Sequence, residues 1–89
     1  MQILWDEEKD TLLRETRWIS FQEVEAYILS DTIVSMESHY NTETFPHQKM
    51  ILINHKNYIY YIPCILKDDT LFLKTIIPSR KLTKKYLSS

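Results

Sequence analysis

The sequence predicts an α+β domain: two N-terminal helices packed on a small antiparallel sheet in the order β-α-α-β-β-β-β, closed by a short basic helix. Three observations predict it. Helix-start signals stand at Asp6 and Ser20, apolar runs separated by turn residues fill 49–77, and a cluster of lysine and arginine follows Pro78-Ser79. Helices ahead of a strand meander are placed on one sheet face, where both elements bury their apolar sides together.

"ILW" (3–5) is short, apolar and followed at once by acids, which predicts a strand. Asp6 is positioned to cap a helix whose first turn holds Glu7 and Glu8, where the helix dipole favours negative charge. Leu12 and Leu13 supply its apolar contact, and it is expected to end near Thr16. "SFQE" (20–23) is a capping box, with Ile19 and Val24 as its hydrophobic staple. Phe21, Val24 and Ile28 recur at helical spacing, so the second helix is expected at about 20–29.

"TIVSME" (32–37) predicts a strand, and "SHYNTETFPHQ" (38–48) a long polar loop. "KMILIN" (49–54) and "YIYYIPCIL" (58–66) predict strands joined by "HKN", with Asn57 in the left-handed position. Tyr58, Tyr60 and Ile62 fall on one face, and Ile59, Tyr61 and Pro63 on the other. Pro63 has no N–H and is expected at a bulge or an edge. "KDDT" turns the chain into a last strand, "LFLKTII" (71–77), that Pro78 ends.

A chain of 89 residues predicts one domain, 1–89, with one small core. No window is long and apolar enough for a membrane span, and "MQILWDEE" lacks the basic and apolar regions of a signal peptide. The lone Cys64 excludes an internal disulfide and any multi-cysteine metal site. Together these predict a cytoplasmic protein. Glycine is absent, so Asn, Asp, His and Lys must supply the turns.

The formal net charge of −1 hides an asymmetry. Residues 1–45 carry ten acids and three bases, and residues 46–89 carry two acids and eight bases. The sharpest feature is "SRKLTKKY" (79–86). With Ser79 as N-cap, residues 80–87 are expected to form a short helix on which Arg80, Lys81, Lys84 and Lys85 share one arc. Leu82 and Tyr86, at i and i+4, lie opposite and anchor it to the sheet. Arg80 and Lys81 stand in the first turn, where the dipole favours acids. A bound anion reverses that cost, which points to a phosphate. A solvated basic tail is the competing reading.

"LWDEEK" (4–9), "ISFQEV" (19–24) and "SRKLTKKY" (79–86), in this order and spacing, resemble the BrnT toxins of bacterial type II toxin–antitoxin systems. The resemblance implies a RelE-type α+β fold and endoribonuclease activity. It also implies a cognate antitoxin protein, with promoter DNA bound only by the toxin–antitoxin pair. By position it carries Arg80, Lys81 and Thr83 onto the family's C-terminal motif, His39 onto a histidine after the first meander strand, and Lys49 onto an arginine that opens the next strand. The chain departs from the family at Thr75, where a basic residue is common, at Pro78-Ser79, and in loop 40–48, which lacks an acidic run.

Ribonucleases that work without metal make the ribose 2′-OH attack the adjacent phosphate. They need proton transfer and cations for the developing charge. Arg80 is suited to bidentate phosphate contact, and Lys49, Lys74 and Lys81 to point charges. His39 is suited to acid or base work near neutral pH. Lys84 and Lys85 extend the basic face, and Tyr60, Tyr61 or Tyr86 offers a ring for a base. The expected catalytic set is Arg80, His39, Lys49 and Lys81. The expected RNA-binding set is Lys74, Thr83, Lys84, Lys85 and Tyr86. No cofactor or metal is expected. There is no triad spacing, phosphate-binding glycine loop or metal-ligand cluster in the sequence. The rival reading is a non-catalytic module whose basic face docks an acidic protein segment or nucleic acid.

Overall fold

A computed structural model describes residues 1–87. The chain runs β1 (Gln2–Leu4), α1 (Glu7–Arg17), α2 (Phe21–Leu29), β2 (Ser35–Ser38), β3 (Gln48–His55), β4 (Tyr58–Lys67), β5 (Thr70–Leu73), β6 (Ile77–Pro78) and α3 (Arg80–Leu87). The α+β class, the two leading helices and the basic closing helix are those the sequence predicts.

Both helix starts form as their sequences dictate. The Asp6 carboxylate accepts the N–H groups of Glu8 and Lys9. The Ser20 hydroxyl accepts the Glu23 N–H at 3.2 Å while the Glu23 carboxylate accepts the Ser20 N–H at 3.1 Å. A third contact joins the helices. Asp10, buried on α1, accepts the Phe21 N–H at 2.7 Å and pairs with the Arg14 guanidinium at 3.0 Å. A buried carboxylate is tolerated there because both of its oxygens are engaged. α1 ends at Trp18, whose backbone is left-handed (φ 59°, ψ 32°).

The sheet order is β1-β5-β4-β3-β2, with β6 beside β4. β2, β3, β4 and β5 pair antiparallel as the meander predicts. The sheet is nevertheless mixed, because β1 joins β5 in parallel, Ile3 opposite Leu71. Two helices and three strands lie between those partners, a connection long enough for parallel pairing. The turn between β3 and β4 is also shorter than "HKN" suggests. His55 belongs to β3 opposite Tyr58, and Lys56 and Asn57 alone turn the chain, both left-handed (φ 53° and 64°). A turn of this hand matches the twist of the flanking strands.

The last predicted strand is split. β5 pairs Leu73 with Cys64, and β6 pairs Ile77 with Tyr61. Residues 62–63 of β4 therefore face 74–76, one residue more, which is a bulge. Pro63 sits at that point, accepting the Lys74 N–H at 2.9 Å with no N–H of its own to offer.

One sheet face carries Ile51, Ile53, Ile62, Cys64, Leu71, Leu73 and Ile76 against Leu13, Ile19, Phe21 and Val24 of the helical layer. Trp5 stacks on Phe21 with ring centres 5.9 Å apart. Leu52 and Ile59 are buried outside that cluster, and α3 packs on β4. Fully burying side chains of this size is worth about 1.5–3 kcal/mol each, which sets the core against the chain's conformational entropy. The radius of gyration is 12.9 Å, near the value for a compact chain of this length. Among the described residues, no helix is long and apolar enough to cross a membrane.

Candidate functional site

α3 starts where the β6 ladder runs out. The Ile59 carbonyl accepts the Ser79 N–H at 3.0 Å, and the Ser79 hydroxyl accepts the Leu82 N–H at 3.1 Å as the helix cap. Leu82 and Thr83 are half-buried, while Arg80, Lys81, Lys84 and Lys85 are exposed. No acid stands in the first turn. Among the described residues the ion pairs are Met1–Asp69, Arg14–Asp10 and His55–Glu23, so none of the four α3 cations is neutralised by a carboxylate. The Lys85 ammonium lies 5.4 Å from the Tyr86 ring centre, and that ring is 39% exposed.

Thr83 has a different setting. Its hydroxyl accepts the Ile59 N–H at 2.9 Å and donates to the Ser79 carbonyl at 2.7 Å. Its proton is committed to holding α3 on the sheet.

His39 and Lys49 meet elsewhere. Ser38, His39, Tyr40, Gln48, Lys49 and Met50, with Pro63, line a cleft of about 330 Å³ at the other end of the sheet. The Lys49 ammonium donates to the Ser38 hydroxyl at 3.0 Å. The His39 ring lies against Tyr40 and Phe45, with centres 4.3 and 4.6 Å away. Its Nδ1 accepts the Asn41 N–H at 3.0 Å. That bond requires a lone pair on Nδ1, so the neutral ring carries its proton on Nε2 and presents a donor there. Lys74 adjoins this end of the sheet: Glu37, Met50 and Pro63 pair in one row across β2–β4, and Lys74 bonds Pro63 at its end.

The structure thus forms two groups. His39 and Lys49 share a cleft, with Lys74 on the row beside it. Arg80, Lys81, Lys84, Lys85 and Tyr86 share α3. His39 bonds Gln48 opposite Ile65, whereas Ser79 bonds Ile59, six residues back along β4 and across it. At strand spacing this separates the groups by roughly 20 Å. α3 then leads toward Asn57, which lines a cleft with Thr83, Lys84 and Leu87. A single reacting centre holding Arg80, Lys81, His39 and Lys49 is not formed.

No family model, curated protein or solved structure matches the chain. The likeness to the BrnT toxins therefore stands on the three sequence motifs, and the residues themselves carry the functional reading.

Two further constellations escape a reading of the sequence. His55, buried at the end of β3, meets the Tyr27 hydroxyl at 2.9 Å through Nδ1, and its Nε2 lies 3.5 Å from the Glu23 carboxylate. That second approach is an ion pair only when the ring is protonated, and it is not a hydrogen bond: Nε2 is buried without a bonding partner. Burial, followed by the nearby Glu23 charge, raises the Tyr27 hydroxyl above its ordinary pKa. The period-2 run Ile51, Ile53, His55 is the signal that places His55 on the core face. The second constellation surrounds Trp18, which is 80% exposed and lines a cleft with Arg17, Lys56, Tyr58 and Tyr60. Its signal is an aromatic at a helix end where glycine is usual.

Proposed function

We propose that this protein is a cytoplasmic endoribonuclease toxin, held inactive by a cognate antitoxin protein and meeting promoter DNA only in that complex. The observation that carries the reading is the face of α3: four exposed cations, no carboxylate partner among the described residues and no acid in the first turn. Phosphates along a nucleic-acid strand are the counter-charges that such a face fits.

In this reading α3 holds the backbone of a single RNA strand, with Arg80 and Lys81 on one phosphate and Lys84 and Lys85 on the next turn. The reacting phosphate lies at the His39 cleft. There the ribose 2′-OH attacks phosphorus, the bond to the 5′ oxygen breaks, and the hydroxyl proton passes through water to the leaving oxygen. His39, a donor at Nε2, hydrogen-bonds a phosphoryl oxygen as negative charge develops there. Lys49 and Lys74 offset the charge that develops on the phosphoryl oxygens. Arg80 acts on a flanking phosphate, and its effect is on binding. No cofactor enters this scheme.

The separation of α3 from His39 also favours a second reading, a module that holds RNA or an acidic protein segment without cutting. A labelled single-stranded RNA incubated with purified protein divides the two. Cleavage that is lost in His39→Ala supports the nuclease. Retention without cleavage in the wild type overturns it and leaves the binding module.

A further inference from the structure

We propose that the cleft on the Arg17 side of Trp18 is a second site for single-stranded RNA, in which the Trp18 indole stacks on a base while Arg17 and Lys56 meet the adjoining phosphates. The inference rests on the RNA reading of α3 and adds a place that reading does not include.

The backbone of Trp18 is the first argument. A bulky residue at φ 59° is an outlier, since its Cβ crowds the chain where glycine would not. The ring recovers none of that cost by burial, because Trp18 is 80% exposed. Trp5, by contrast, packs against the core. An indole held out in solvent on a strained joint is placed for contact with something else.

The walls of the cleft name the chemistry. Its volume is about 430 Å³, and no acid among the described residues lines it. Tyr58 and Tyr60 contribute rings, at right-angled to tilted geometry with centres 5.8 Å apart. Arg17 is anchored by a hydrogen bond to the Ile76 carbonyl, which fixes its stem and leaves further N–H groups to offer. Among the described residues neither Arg17 nor Lys56 has a carboxylate partner. Glu23 lines the cleft on the other side of the indole together with Arg14, and its carboxylate lies 3.5 Å from His55, which lines this one. Aromatic faces interleaved with unpaired cations bind single strands without demanding a sequence.

Continuity with α3 favours RNA over an acidic peptide. Lys56 lines this cleft, its neighbour Asn57 lines the next, and Lys84 of α3 shares that second cleft. The two residues form the hairpin tip, so a strand leaving α3 passes over the tip and reaches Trp18. Cations then accompany it throughout, from Lys84 through Lys56 to Arg17.

Tryptophan emission tests this directly. Trp5→Phe leaves Trp18 as the sole indole and preserves a ring against Phe21. The probe is a short single-stranded RNA with 2′-O-methyl riboses, which cannot be cut by 2′-OH attack. Saturable quenching of Trp18 is expected. Trp18→Ala should weaken binding roughly ten- to a hundredfold, and Trp18→Phe should keep most of the affinity. RNA that binds, by anisotropy of a labelled end, without altering Trp18 emission overturns this site and leaves the function of α3 standing. An RNA that does not bind at all overturns both. Quenching by polyglutamate but not by RNA overturns the assignment in favour of a protein-docking surface.

Discussion

The Thr83 hydroxyl accepts the backbone N–H of Ile59 at 2.9 Å, so one side chain of α3 completes the hydrogen bonding of β4. Ile59 is buried, and its N–H has no strand to pair with beyond β6. Thr83→Val keeps the shape and removes the acceptor. It should cost about 1–3 kcal/mol, the penalty of an unsatisfied buried donor. Urea unfolding of the two proteins measures it, and an unchanged midpoint would refute the assignment.

Arg80 and Lys81 should behave in the opposite way. Both are exposed and have no ion-pair partner among the described residues, so Arg80→Ala and Lys81→Ala should leave stability within about 0.5 kcal/mol of wild type. RNA affinity and growth arrest on induced expression should fall. Their loss in a folded protein separates binding from folding, and full toxicity of Arg80→Ala would exclude α3 as the RNA-holding element.

His39 should affect the rate and not the affinity. Its Nδ1 is held by Asn41, so the ring acts through Nε2. His39→Ala should slow RNA cleavage by roughly 10²–10³-fold, the usual worth of a positioned donor to developing charge. Equal loss of binding and cleavage would instead make His39 part of the RNA contact surface.

Asp10 grades a structural site. Asp10→Asn retains an acceptor for the Phe21 N–H and loses the Arg14 pair; Asp10→Ala loses both. The alanine variant should be the less stable by about 1–3 kcal/mol. Equal unfolding midpoints would show that the Phe21 contact contributes nothing.

Burial pushes the Cys64 thiol up to about 11 from 9.0, against a smaller opposing pull from the Lys49 ammonium. A raised pKa means the folded state favours the protonated thiol. The contribution is therefore complete below about pH 9 and lost as pH rises through about 11, by roughly 2–3 kcal/mol. Stability measured across that window should fall more steeply in the wild type than in Cys64→Ala. Parallel curves would mean the thiol titrates alike in both states.

Much of this fold is legible because local chemistry and packing agree. "SFQE" forms its capping box, Asn57 takes the left-handed position, Pro63 lies at a bulge and Ser79 caps α3. What escapes notice depends on partners distant in sequence. Nothing within "QIL" specifies a parallel neighbour at 70–72, and no local signal separates Thr83 from the cations beside it. The basic face of α3 is visible as a periodicity. Its distance from His39 is not, because that distance is set by register along β4.

The pairing of Gln2 with Thr70 has a kinetic side. Closing so long a stretch of chain costs entropy before the contact returns any stability, and such topologies fold slowly. On a ribosome β1 stays without a neighbour until β5 has emerged, and α3 emerges later still. A chain that has emerged only as far as β4 therefore has neither its completed sheet nor its basic helix. Fragments ending before Thr70 should lack cooperative unfolding, which far-UV circular dichroism would register.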